Sequence, residues 1–305
     1  MRETTMKSLI TGGTGFIGRH LINRLGSPVV LGRDPDRIRK VLKHVEARKW
    51  DPAGEIDPAV FAGVDTVYHL AGEPVFDGRW DSEKKARIMG SRVDGTRSLV
   101  SALARLEPEQ RPSTLICSSA IGYYGSRGEE MLTESSLPGS DFLATVCRRW
   151  EEEAMKAAEL GVRVVTIRIG VVLGKDGGAL AKMLTPFKLG LGGRLGNGRQ
   201  YMSWIHIDDL IGIMLHAARN PEVHGPVNGV APNPVTNREF TAALASALHR
   251  PAILPVPGCV LRAGLGEFAA VLLGSQRIRP DKAIQTGYKF IYPLLQAAMQ
   301  AAIND

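Results

Sequence analysis

The sequence predicts an α/β fold: a Rossmann-like doubly wound parallel sheet with a smaller C-terminal substrate-side region. Three observations carry this. A β-rich apolar run at residues 7–10 leads directly into Thr11-Gly12-Gly13-Thr14-Gly15-Phe16-Ile17-Gly18 and then into a helix-periodic segment. Up to about Gly170, short β-rich runs alternate with helical stretches, the signature of a parallel sheet covered on both faces. Beyond Gly170 that alternation stops, and glycines at 174, 177, 178, 190, 192, 193, 196 and 198 mark loop-rich structure. The reading is therefore a dinucleotide-binding domain over 1–170 and a substrate-side region over 171–305, with about 200–230 returning to the first domain.

Taken in order, the strands fall at 7–10, 29–31, 64–70, 114–118 and 163–169, and the helices at 16–25, 84–106 and 141–159. Arg33, Arg37, Arg39, Lys40 and Lys43 are interleaved with apolar residues, as on a solvated helix face. Farther on, Thr236 and Glu239 make a capping-box pattern in front of a helix at 240–248. Pro251, Pro255 and Pro257 then break the chain. The apolar stretch 256–274 is interrupted by Arg262 and Glu267, which predicts an amphipathic helix and not a membrane span.

Gly13, Gly15 and Gly18 satisfy the G-x-G-x-x-G spacing. That spacing supplies a tight turn, a backbone open to a pyrophosphate, and close packing of helix on strand. Gly12, Thr14, Phe16 and Ile17 would frame the same site, where the free amides and dipole of the helix start attract phosphate. A site for NAD usually ends its second strand in an acidic residue that holds the ribose, whereas an arginine suits a 2′-phosphate. Here Val29-Val30-Leu31 is followed by Gly32, Arg33 and Asp34, so Arg33 favours NADP over NAD. Arg19 or Arg37 would add a second cation, and the alternative is a surface pairing of Arg33 with Asp34.

Composition narrows the class further. Lys plus Arg outnumber Asp plus Glu by 38 to 31, a net charge of +7, yet no block of five like charges occurs, which argues against nucleic-acid binding. Cys117, Cys147 and Cys259 are odd in number and lack metal-ligand or disulfide spacing. A reducing, cytoplasmic setting without a metal site or membrane anchor is expected.

With the glycine motif, Ser118-Ser119-Ala120-Ile121-Gly122-Tyr123-Tyr124-Gly125 and Trp204-Ile205-His206-Ile207-Asp208-Asp209, the chain resembles the extended short-chain dehydrogenase/reductases. That family includes nucleotide-sugar epimerases and dehydratases. Within it, His69-Leu70-Ala71-Gly72-Glu73, Ser91-Arg92, Trp150-Glu151 and Gly192-Gly193-Arg194-Leu195-Gly196 resemble the atypical SDR39U1-like epimerase family proteins. The resemblance spans essentially the whole chain. It implies that Leu70, Ala71, Gly72, Arg92 and Ser118 line the cofactor, and it suits a homodimer paired through 84–106 and 141–159, the alternative being that those helix faces are solvated.

Family enzymes use a Tyr and a Lys four residues apart on one helix to move the proton. No Y-x-x-x-K occurs in this sequence; counting back from Trp150-Glu151, those positions hold Leu143 and Cys147. The upstream serine corresponds to Ser119, and Arg92 stands where the family has asparagine. The catalytic set implied is therefore Ser119, Tyr123, Cys147 and Arg92, with Tyr123 four residues after Ser119; Tyr124, Glu73 and His206 are further acid/base candidates, and the alternative for Cys147 is a small apolar filler on a buried helix face. Two diphosphate-gripping positions also change, an Asn to Val171 and an Arg to Met202. Each charged hydrogen bond so lost costs on the order of 1.5–3 kcal/mol unless Arg199 or Arg194 replaces it, which makes a smaller or less anionic substrate at least as good a fit as a nucleotide diphosphate. These readings point to an NADP(H)-dependent oxidoreductase or epimerase-like enzyme with altered acid/base chemistry acting on a small molecule. The alternative is a non-catalytic NADP(H)-binding sensor.

Overall fold

The computed structural model describes residues 7–77 and 80–304. Seven strands build one parallel sheet: β1 Ser8–Thr11, β2 Val29–Gly32, β3 Glu46–Lys49, β4 Thr66–His69, β5 Thr114–Ala120, β6 Arg163–Ile169 and β7 Gly225–Gly229. Their spatial order is β7-β6-β5-β4-β1-β2-β3, with every neighbouring pair parallel. The chain winds outward from β1 in both directions, so the switch point lies between β1 and β4. In such sheets ligands bind there, beyond the strand C-termini.

Alternating side chains explain why these strands read as continuous apolar runs. Ile10, Val30, Tyr68, Ile116 and Val165 enter the core shared with helices α1 Phe16–Ile22, α2 Pro35–Val41 and a later helix, Ile207–Arg219. Their neighbours Leu9, Val29, Val67, Leu115 and Val164 enter the opposite core, under α3 Ser82–Ala104 and α4 Phe142–Met155. Both faces are covered, as a parallel sheet requires. Two edge strands carry no such signal. β3 is Glu-Ala-Arg-Lys with an exposed side, and β7 is Gly-Pro-Val-Asn-Gly. Charge and proline are tolerated at edges because one row of backbone groups faces away from the sheet.

The C-terminal region holds its own core, in which Leu180, Phe187, Trp204, Phe240, Leu244 and Met299 are buried together. The glycine-rich stretch is less loop-like than its composition predicts, because α5 Gly178–Lys188 runs through it and buries Leu180, Leu184 and Phe187. Next come α6 Ile207–Arg219 and α7 Asn237–Ala247. The capping box at Thr236 and Glu239 forms with both arms in place. One amphipathic helix was predicted over 256–274; two short helices, α8 Gly258–Leu265 and α9 Phe268–Leu273, stand there instead. Gly266 between them has φ +59°, a conformation that ends a right-handed helix. No described helix is long and apolar enough to cross a membrane.

Candidate active site

The loop after β1 is built by steric necessity. Gly12 has φ +71°, and a Cβ there would sit 2.7 Å from the Leu70 carbonyl carbon and 2.8 Å from the Ala71 nitrogen. The left-handed turn therefore belongs to Gly12. Gly13, to which the sequence spacing assigned it, is excluded from bearing a side chain for another reason: its Cβ would meet Val30 Cγ1 at 2.8 Å. Gly18 must be bare because a Cβ would lie 2.7 Å from the Gly13 Cα, which seats α1 against the loop. Gly15 differs, being exposed and forming the N-cap of α1, with no side chain capping the helix. Thr14, Phe16 and Ile17 are half-buried beside it. A bare backbone facing outward at an uncapped helix start, at the switch point of the sheet, fits a pyrophosphate.

A buried hydrogen-bond chain sets the opposite wall. Thr96 donates its hydroxyl proton to the Arg92 carbonyl at 2.6 Å, so His69 Nε2 must donate to Thr96 Oγ1 at 3.1 Å. His69 Nδ1 then accepts from Thr11 Oγ1 at 2.8 Å, and Thr11 Oγ1 accepts from the Ala71 amide at 3.2 Å. Through this relay β1, β4 and α3 fix Leu70, Ala71 and Gly72 over Gly12. Burial lowers the His69 pKa to about 4, so the ring is neutral.

A His pKa depressed by folding means that the unfolded chain binds the proton more tightly. The stability from keeping His69 neutral is complete above about pH 6.5 and is lost as pH falls toward 4. A shift of this size is worth on the order of 3 kcal/mol. Urea midpoints measured from pH 7.5 to 4 should fall along this window. The slope should flatten in His69→Gln, and an unchanged slope would refute the assignment.

At the end of β2, Arg33 is exposed and has no ion-pair partner among the described residues. Asp34 is occupied elsewhere, accepting from the Arg37 amide at 3.0 Å as the N-cap of α2, so the surface pairing with Arg33 is absent. Arg19, the other candidate cation, is engaged with Asp176 at 3.3 Å, and His20 reaches the same carboxylate at 3.2 Å. That contact ties the loop 174–177 to α1. Gly174 and Gly177 are pressed against the Phe16 ring, which leaves no room for a Cβ on either.

The structure brings Ser119, Cys147 and Arg92 together, with Tyr123 to one side. Cys147 on α4 is buried against Ser119 and the Ala120 backbone, and its thiol is pushed up to about 12, first by burial and then by Glu151, against the opposing charge of Arg92. It is a neutral group at any ordinary pH. Ser119 donates to Glu151 Oε1 at 2.6 Å, and Glu151 holds Arg168 through Nε at 2.9 Å and Nη2 at 2.8 Å. Arg168 Nη1 in turn donates to the Tyr124 hydroxyl at 3.0 Å, and Tyr124 donates to Asn228 Oδ1 at 2.6 Å. The Arg168 guanidinium carbon sits over the Tyr123 ring, 3.4 Å from its centroid. Ser118 is buried one residue before Ser119 and faces the other side of the sheet.

Arg92 packs on the bare face of Gly72, whose Cβ would lie 3.2 Å from its guanidinium carbon, and over the Trp150 ring at 5.1 Å. The sequence reading did not assign the Glu151–Arg168 pair or the His69 relay. Trp150-Glu151 served only as a landmark, and the partners lie 17 or more residues apart. Only strand alternation on β5 and β6, combined with the face of α4, brings them to one place. Val171 starts a short strand, Val171–Leu173. Met202 presents its sulfur to the Asn237 amide at 3.2 Å. No cluster of three or more His, Cys, Asp or Glu suited to a metal occurs among the described residues.

Comparison with known proteins agrees with this geometry. The family described as NAD dependent epimerase/dehydratase matches residues 8–229, and a domain of unknown function, DUF1731, matches residues 256–302. An Arabidopsis thaliana protein, Epimerase family protein SDR39U1 homolog, chloroplastic, is 42% identical, covering 99% of this chain and 88% of its own. The Homo sapiens Epimerase family protein SDR39U1 is 37% identical over 98% of this chain and all of its own. A crystal structure of human SDR39U1 (isoform 2) with NADPH superposes with a TM-score of 0.86 at 34% identity, covering 98% of this chain and 100% of that one. A sheet wound outward from β1, a glycine turn beneath Leu70 and Ala71, and these relatives together make the chain a member of the NAD dependent epimerase/dehydratase family, of the SDR39U1-like kind.

Proposed function

We propose that this protein is an NADP(H)-dependent oxidoreductase or epimerase-like enzyme with a non-standard active site, acting on a small molecule in the cytoplasm. The observation that carries the reading is the Gly12–Gly18 cradle closed by Leu70 and Ala71, with the unpaired Arg33 at its far end. That a similar human protein is crystallised with NADPH supports the same cofactor. In this reading the amides around Gly13 to Ile17 hold the pyrophosphate, Arg33 and Arg37 meet the 2′-phosphate, and Ala71, Gly72 and Ser118 line the remainder. Bound cofactor supplies or accepts the hydride; the protein orients the reactants and manages charge. Without an Asn at Val171 or an Arg at Met202, a nucleotide diphosphate has fewer partners here, and a less anionic substrate fits better. By resemblance, the subunits pair through α3 and α4, which sedimentation of the purified protein would test.

Calorimetric titration is the decisive measurement. NADPH should bind at least tenfold more tightly than NADH, and Arg33→Ala should bring the two within threefold, the loss expected for one charge-assisted contact. Equal wild-type affinities would remove the NADP preference, and no saturable binding of either would remove the reading. The second reading, a sensor without turnover, is favoured by an aliphatic Leu143 and a neutral Cys147 at the proton-moving positions. Sustained NADPH oxidation with any carbonyl compound would dismiss it.

A further inference from the structure

The geometry points to Arg92 as the fixed positive charge that faces the oxygen of a carbonyl substrate, replacing the ammonium missing at Cys147. This rests on the hydride-transfer reading above and adds the substrate class. Arg92 is the only one of the four implied catalytic residues that carries a charge: Cys147 keeps its proton, and Ser119 and Tyr123 are engaged with Glu151 and Arg168. Its guanidinium is anchored on one side only. Nη1 donates to the Glu73 carbonyl at 3.1 Å and the Ile88 carbonyl at 3.2 Å, while Nε and Nη2 have no acceptor among the described residues.

No carboxylate among the described residues forms an ion pair with it, although the charge of Glu73 reaches it through space. The nearest candidate, Glu73, gives its carboxylate to Lys84 at 2.8 Å and to Arg87 at 3.7 Å. Burial against Trp150 lowers the Arg92 pKa, yet an arginine remains charged at physiological pH. A half-buried cation without a bonded carboxylate carries a desolvation cost, and a ligand that brings negative charge reduces it. The cation also borders the cofactor side of the site, because it rests on Gly72 immediately after the wall residue Ala71. Arg92 and Cys147 lie on neighbouring helices, close enough that each charge state affects the other.

For a ketone, aldehyde or α-oxo acid the balance is simple. Hydride from the reduced nicotinamide forms a C–H bond at the carbonyl carbon, and the C=O π pair moves to oxygen. Arg92 compensates the resulting negative oxygen, water supplies the proton, and oxidised cofactor is the co-product. Preorganised charge at the developing oxyanion is the larger share of catalysis in such reactions, and no side chain need titrate.

Acetate, a carboxylate stand-in for the negative oxygen, serves as the probe that needs no substrate. Titrated into the NADP⁺-loaded wild type, it should bind saturably; in Arg92→Met it should bind at least tenfold more weakly, with Arg92→Lys between them. Both variants should keep a single cooperative thermal transition and the wild-type far-ultraviolet spectrum, and acetate is titrated with NADP⁺ saturating in each protein, which separates a charge effect from misfolding. Kinetically, NADPH oxidation with a panel of ketones, aldehydes and α-oxo acids should fall at least a hundredfold in kcat/KM for Arg92→Met, and added guanidinium should restore part of it. The wild-type kcat should be flat from pH 6 to 9. Equal acetate affinity in wild type and Arg92→Met, or turnover within threefold, would overturn the role of Arg92. Absence of any nicotinamide cofactor binding would instead overturn the reading on which it rests.

Discussion

Glu151→Ala is expected to destabilise the fold by about 3–5 kcal/mol, the cost of leaving one member of a buried ion pair alone. Arg168 is nearly inaccessible, its side chain 3% exposed, and both carboxylate oxygens of Glu151 face it. Removing Glu151 would strand that cation between β5, β6 and α4 and free the Ser119 hydroxyl. The pair also organises the residues around it: Tyr123 stacks on Arg168, and Tyr124 links it to Asn228 on β7. The effect should thus reach the sheet edge and the segment that carries Tyr123.

A double-mutant cycle distinguishes a charge penalty from loss of packing. Glu151→Leu with Arg168→Met should cost less than either single change, because the pair then leaves together and the apolar replacements fill similar space. Chemical denaturation of the four proteins checks this. Additive costs would mean that each side chain acts through its own contacts and not through the other.

The five inner strands of the sheet were legible because each level of the sequence agreed: apolar β-runs, glycine turns at their C-termini, and helix periodicity between them. β3 and β7 were not, since an edge strand needs only one row of backbone partners and so accepts Glu-Ala-Arg-Lys or Gly-Pro-Val-Asn-Gly. The glycine loop shows a finer limit. Gly12-Gly13 offers two overlapping spacings, and only the backbone angle, φ +71° at Gly12, separates them. Around the acid/base set, the loss of Tyr and Lys was readable by position. The engagement of Ser119 with Glu151 was not, because it depends on which face of α4 meets β5. His69 likewise reads as one more polar residue at a strand end until Thr11, Thr96 and Ala71 converge on it.

Alanine placed at each glycine of the cradle should separate folding from cofactor binding. Gly12→Ala forces a side chain into a left-handed backbone, costing about 1–2 kcal/mol, and drives its Cβ into the Leu70–Ala71 backbone, which cannot give way as a flexible side chain would. Gly18→Ala meets the Gly12 and Gly13 backbone in the same manner. Gly12→Ala should lose about 3 kcal/mol of stability, the sum of strain and overpacking, and Gly18→Ala about 1–3 kcal/mol from overpacking alone, and both should lose NADPH binding with it. Gly15→Ala is the informative case. Its φ is −71°, and the nearest neighbour to an added Cβ is the Gly12 carbonyl at 3.2 Å, so the fold should tolerate it within about 1 kcal/mol. The new methyl group nevertheless stands at the exposed helix N-cap where the pyrophosphate approaches, and NADPH affinity should fall at least tenfold, or about 1.4 kcal/mol. Melting curves with and without NADPH report both quantities in one experiment. A Gly15→Ala protein that melts normally and still gains the full wild-type increment from NADPH would show that the phosphates bind elsewhere.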